Sequence, residues 1–162
     1  VSDVYDLPNV LHQKFDIVFT TYGTIGWLPD LQKWVEVISH FLKPGGKLIF
    51  VEFHPVVWMY DNDFTFVQYS YFNDEQIVET NEGTYADRSA DLANEEVSWN
   101  HSLSEVFTSL FDENLQLKSF REYNWSPYPC FRHIKEIEKG KYQIPQFGNK
   151  IPLVYSVVVE KK

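Results

Sequence analysis

The 162-residue sequence holds one cysteine, Cys130, and one methionine, Met59. A lone cysteine excludes an internal disulfide framework and a zinc site built on cysteine pairs. Cys130 and His133 share a CxxH spacing, but no second ligand pair accompanies them, so no metal is expected. Basic residues are scarce as well: 14 Lys and Arg stand against 23 Asp and Glu, a formal net charge of -9. Such a surface repels phosphate backbones, and without a local basic patch nucleic acid is not an expected partner. Long apolar runs are missing. The longest candidate, Leu48 to Tyr60, is interrupted by Glu52, His54 and Pro55, and a membrane span needs roughly 20 apolar residues. The chain opens at Val1 with no methionine and no signal-like leader, on what reads as the end of a strand. A piece of a longer cytoplasmic protein is the expectation.

What is present is apolar and aromatic, at 44% and 17% of residues. That composition excludes disorder, and the length suits one domain with a sizeable core. Two apolar runs, Asp16 to Thr20 and Lys47 to Phe53, are continuous rather than alternating, as in buried parallel strands. Between them a helix is expected from Asp30, a good N-cap residue. Its apolar positions Leu31, Trp34, Val35, Ile38, Phe41 and Leu42 recur at three and four, so one face is buried. Lys43-Pro44-Gly45-Gly46 ends it, and the whole reads as a right-handed βαβ unit.

Downstream the pattern changes. Short strand-like runs at Phe64 to Phe72 and Gln76 to Thr80, with a turn signal at Asn81-Glu82-Gly83, suggest an antiparallel insertion spanning about residues 56–99. Ser102-Leu103-Ser104-Glu105 fits a capping box ahead of a second amphipathic helix that stops near Asn114. A strand from Leu115 to Tyr123, a proline-bearing loop and a last strand from Leu153 to Val159 complete the chain. The acidic residues Asp91, Glu95 and Glu96 read as solvated surface.

The phrase LKPGGKLIFVE (Leu42 to Glu52), with Phe15-Asp16-Ile17-Val18 about thirty residues upstream, resembles the central motifs of class I S-adenosylmethionine-dependent methyltransferases. The opening Ser2-Asp3-Val4-Tyr5-Asp6-Leu7-Pro8 resembles that family's segment after its third strand. The resemblance implies an α/β, Rossmann-like sheet, here truncated to two parallel strands plus an antiparallel C-terminal pair, with a small β insertion. It implies S-adenosyl-L-methionine as cofactor, with Asp3 on the adenine amino group and Val4 offering its backbone N–H to the ring. Thr20, Thr21 and Tyr22 would lie by the methionine portion. The family's glycine-rich loop and its ribose-binding acid lie upstream of Val1, outside this sequence. Without the strands that carry them, the Asp16 to Thr20 strand is an apolar edge that invites homo-oligomerisation.

Ligands of open α/β sheets bind at the carboxyl ends of the strands. Trp27 is placed there either to stack on adenine or to fill core. His54, leaving the second strand, and His101, just before a helix N-terminus, are candidates for a general base. The helix N-terminus favours a neutral His101; strand-end packing and helix capping are the alternative roles. Trp58, Tyr60 and Tyr128 are candidates for substrate contact; the first two belong to an aromatic run (with Phe64, Phe66, Tyr69, Tyr71, Phe72) that reads as a substrate lid or, as is commoner for such a stripe, as a small local core or subunit contact. The implied activity is methyl transfer to a small-molecule acceptor. The alternatives are a Rossmann-like oxidoreductase, for which no nicotinamide site is marked, and a non-catalytic binding or assembly module of degenerate methyltransferase fold.

Overall fold

A computed structural model describes residues 1–82 and 92–162. Its centre is the expected βαβ unit: strand β1 (Phe15–Thr21), helix α2 (Leu31–Phe41) and strand β2 (Leu42–Phe53), the strands paired in parallel. A single helical turn, α1 (Leu7–Val10), precedes it, with a proline in its first positions. The Asp30 side chain caps α2 by accepting from the Lys33 N–H at 3.0 Å. Leu31, Trp34, Val35, Ile38 and Phe41 are buried along one stripe, each contributing roughly 1.5–3 kcal/mol by leaving water.

The Lys43–Gly46 reversal sits inside β2 rather than before it. Phe15 pairs with Leu42 and Ile17 already with Lys47, so the glycines loop out between two stretches of ladder. A Cβ on Gly46 would lie 2.8 Å from the Lys43 carbonyl oxygen. Only glycine tolerates that approach.

After β2, strands β3 (Ile77–Glu82) and β4 (Ala93–Ser98) form an antiparallel pair. The run Phe64 to Phe72, expected as a strand, makes turns instead. The Asp61 carboxylate accepts from the N–H groups of Thr65 and Phe66 and from the Thr65 hydroxyl, a local side-chain alternative to a ladder. Phe64 takes the left-handed conformation there, with φ 59°. The turn signal ending at Gly83 and the acidic Asp91 fall outside the described residues; Glu95 and Glu96 are exposed on β4.

Helix α3 (Leu103–Asp112) is followed by Asn114 at φ 56°, which lets the chain reverse into β5 (Leu115–Tyr123). The proline-bearing loop contains a hairpin, β6 (Lys135–Glu138) and β7 (Lys141–Gln143), before β8 (Val154–Lys161) closes the sheet. Sheet order is β1-β2-β8-β5, with β8 antiparallel to both neighbours. The carboxyl ends of β1, β2 and β5 therefore share one edge.

The two sheet faces differ. Val18, Leu48, Phe50, Tyr155, Val157 and Val159 meet α2 and α3 in the main core. On the opposite face, the carboxyl-end half (Phe53, Val154) packs under the 56–64 segment and the 128–151 loop in a second core. Its other half is bare, with Ile17 58% and Phe19 62% exposed on the edge strand.

Candidate active site

The connection from β1 to α2 crosses the shared carboxyl edge, and it is held from several directions. Tyr22 and Gly23 leave β1 with φ of 39° and 76°, a left-handed turn that is costly for tyrosine. Directly beneath, Glu52 at the end of β2 is 2% exposed. Its Oε2 accepts from the backbone N–H groups of Thr24 at 2.7 Å and Ile25 at 3.2 Å; its Oε1 accepts from Phe53 at 2.7 Å and from Gly23. Burial pushes this carboxyl's pKa up, and the four donors pull it back toward the ionised form. The hydroxyls add a short chain: Thr20 Oγ1 donates to Thr24 Oγ1 at 3.1 Å, and that hydroxyl to the Thr21 carbonyl at 3.0 Å.

The rest of the connection is anchored from outside it. The Trp99 N–H donates to the Gly26 carbonyl at 2.8 Å, and His101 Nε2 meets the Leu28 carbonyl at 2.8 Å. The Tyr5 hydroxyl donates to the Asp30 carbonyl at 3.0 Å and accepts from the Asp30 N–H at 3.1 Å. Val4 and Tyr5 pack on the main core with Ile25 and Leu28, so the Asp3–Val4 segment and the β1 exit belong to one body. Asp3 is exposed, its Oδ1 accepting from the Tyr5 N–H at 2.8 Å. Trp27 is 55% exposed rather than part of the core, its ring open to stacking.

Beside this connection stands an aromatic wall. Tyr22 lies 5.8 Å from Phe53 and 5.6 Å from Tyr128, ring centre to ring centre. Phe53 continues edge-on to Trp58 at 5.6 Å and Phe131 at 5.0 Å. Tilted and edge-on contacts of this kind suit the ring quadrupoles. Trp58 and Tyr128 are thus brought to the β1 exit. Tyr60 is one layer back, against Phe64 and Phe147 at 6.3 and 4.8 Å.

The two histidines lie apart, each committed to its surroundings. His54 Nδ1 accepts from the Val56 N–H at 3.2 Å, which places the proton on Nε2, directed at Glu122 Oε1 at 3.0 Å. Burial holds its pKa below the ordinary value, against the pull of Glu122. His101 faces acceptors on both sides, the Leu28 carbonyl and Glu105 Oε1 at 2.9 Å. The ring is thus tied to the β1–α2 connection on one side and to the first turn of α3 on the other. Glu105, although raised by burial, is held net below its usual range by His101 and Asn73. Ser102 still caps α3, accepting from the Glu105 N–H at 3.2 Å, but the glutamate carboxylate of the expected box turns to His101 and Asn73.

Cys130 and His133 do not converge. The cysteine sulfur lies 3.2 Å from the Ser126 hydroxyl and burial pushes its thiol up to about 11, while His133 turns to Asp63 at 2.9 Å. Sequence reasoning missed Glu52, Tyr5 and Trp99. Only Glu52 carried a signal, as a charge inside an otherwise apolar buried strand.

No family model and no curated protein matches the sequence. Solved structures do match. A S-adenosylmethionine-dependent methyltransferase from Clostridium acetobutylicum aligns over 99% of this chain and 63% of its own, at TM-score 0.58 and 15% identity. One from Methanosarcina mazei aligns over 99% and 65%, at TM-score 0.55 and 19% identity. The chain has the class I methyltransferase fold. The same fold is shared by geranyl diphosphate C-methyltransferase from Streptomyces coelicolor, solved with Mg2+, geranyl diphosphate and S-adenosyl-L-homocysteine, at TM-score 0.54 and 15% identity over 100% of this chain and 52% of that one. The chain thus spans less than two thirds of each of these three methyltransferases. Among the described residues, no helix is long and apolar enough to cross a membrane.

Proposed function

We propose that the chain is the carboxyl-terminal part of an S-adenosylmethionine-dependent methyltransferase acting on a small-molecule acceptor. The observation that carries this reading is the fixed β1–α2 connection at the carboxyl edge of a methyltransferase-type sheet. Glu52, Trp99, His101 and Tyr5 each hydrogen-bond to its backbone. The residues fit the cofactor: the exposed Asp3 carboxylate suits an adenine amino group, the open Trp27 ring suits stacking, and the Thr20–Tyr22 turn suits the amino-acid portion. The glycine-rich loop would be supplied by sequence upstream of Val1.

When bound, the cofactor supplies an electrophilic methyl group. The chain supplies alignment and exclusion of water. Tyr22, Trp58 and Tyr128 form an apolar wall on the acceptor side, and the negative surface favours a neutral or cationic acceptor. His54 and His101 each spend both ring nitrogens within the protein. Either would have to break such a contact to serve as base, so we assign catalysis to alignment first.

Calorimetric titration of S-adenosylhomocysteine, on this chain and on the chain with its upstream sequence, tests the reading. Binding confined to the longer form supports a site completed from upstream, and binding to both means that the contacts in this chain suffice. Binding to neither would remove the cofactor assignment and put a non-catalytic module ahead.

A further inference from the structure

Glu52 takes no part in the expected chemistry, yet it is the one fully buried carboxylate among the described residues. Burying a charge is costly unless hydrogen bonds replace its hydration. Here four backbone N–H groups do so, and three belong to consecutive residues, Gly23, Thr24 and Ile25. Successive N–H groups converging from a left-handed turn form a concave anion site. In this protein the anion is the chain's own side chain, reaching in from β2. Remove it, and three neighbouring N–H dipoles point at one another across a buried space, next to a tyrosine held at φ 39°. The turn would then relax toward the ordinary β or helical regions.

We propose that Glu52 is a positioning residue for the cofactor: its carboxylate templates the Tyr22–Ile25 turn, and the template is the anion itself rather than the bulk of the side chain. The inference rests on the methyltransferase reading, because the turn starts at Tyr22, the last of the residues assigned to the cofactor's amino-acid portion. A purely structural carboxylate would support the whole fold and show no selectivity for the turn. A templating carboxylate has a sharper property. Glu52→Ala deletes a CH2–COO⁻ unit, the heavy atoms of acetate, so free acetate can occupy the vacated space and collect the same four hydrogen bonds.

The experiment is S-adenosylhomocysteine titration of the full-length wild-type, Glu52→Ala and Glu52→Gln proteins, with and without about 50 mM acetate at constant ionic strength, alongside amide exchange. Wild type should be indifferent to acetate. Glu52→Ala should lose about tenfold or more in affinity, and acetate should restore most of it. Glu52→Gln keeps the volume but turns an NH2 toward the donors, so it should bind as poorly as the alanine variant and ignore acetate. Wild-type affinity in Glu52→Gln would overturn the proposal, even if the alanine variant does not fold. So would a folded Glu52→Ala that acetate leaves unchanged. Should the wild type itself fail to bind, it is the methyltransferase reading that falls. The template is then read from exchange at Gly23, Thr24 and Ile25, which should quicken in Glu52→Ala and slow again with acetate. Exchange rates equal to wild type would overturn it.

Discussion

The hydroxyl of Tyr5 closes on both backbone polar groups of Asp30, donating to its carbonyl at 3.0 Å and accepting from its N–H at 3.1 Å. Twenty-five residues apart, the two positions tie the Asp3–Val4 segment to the start of α2, whose first turn the Asp30 carboxylate caps. One phenol oxygen thereby makes the proposed adenine side of the site continuous with the βαβ unit.

Tyr5→Phe keeps the ring in the core and removes both hydrogen bonds. We expect a loss of about 1–2 kcal/mol in urea unfolding, with weaker S-adenosylhomocysteine binding in any form that binds it. Unchanged stability would mean that the phenol contact is incidental.

His101 and Glu105 form a pair whose histidine side chain is fully buried, braced on the Leu28 carbonyl. His101→Ala leaves that carbonyl and the carboxylate short of donors, at a cost of about 3 kcal/mol. Glu105 is partly exposed, so Glu105→Gln should cost less. Chemical denaturation of both variants checks the order.

His54 titrates below its ordinary value of 6.5 because it is buried, despite Glu122. The folded state therefore holds this proton less tightly than the unfolded chain does. Its contribution to stability is complete above pH 6.5 and is lost as the pH falls below it. Thermal melts at several pH values between neutrality and mild acid should fall more steeply in the wild type than in His54→Gln. Parallel slopes would show that the ring does not couple to folding.

Ser102→Ala removes the α3 cap, in which the hydroxyl accepts from the Glu105 N–H. The expected cost is about 1 kcal/mol, read from the same denaturation curves. A larger loss would mean that the cap also supports the neighbouring His101–Glu105 pair.

Ile17 and Phe19 stand exposed on the edge strand. A chain of residues 1–162 should therefore self-associate, and Phe19→Lys should shift it toward monomer in analytical ultracentrifugation, since a charge blocks edge pairing. A monomeric wild-type chain at high concentration would refute the expectation.

The sequence by itself determined the βαβ unit, the α3 cap and the presence of two further strands near the C-terminus. Those features arise from local periods: the three-and-four spacing of Leu31 to Phe41, the unbroken apolar run of Leu48 to Val51, and serine three residues before glutamate. It could not foresee the turn at Asp61, where a side chain competes with the ladder over a few residues, nor the β6–β7 hairpin, whose strands are only 4 and 3 residues long. Only the tertiary structure decided the site. Glu52 meets Gly23 to Ile25 from 27 to 29 residues away, and His101 meets Leu28 across 73. Buried polar groups take whichever partners the packed elements bring to them. That pairing is a property of three-dimensional proximity, and no spacing along the chain encodes it.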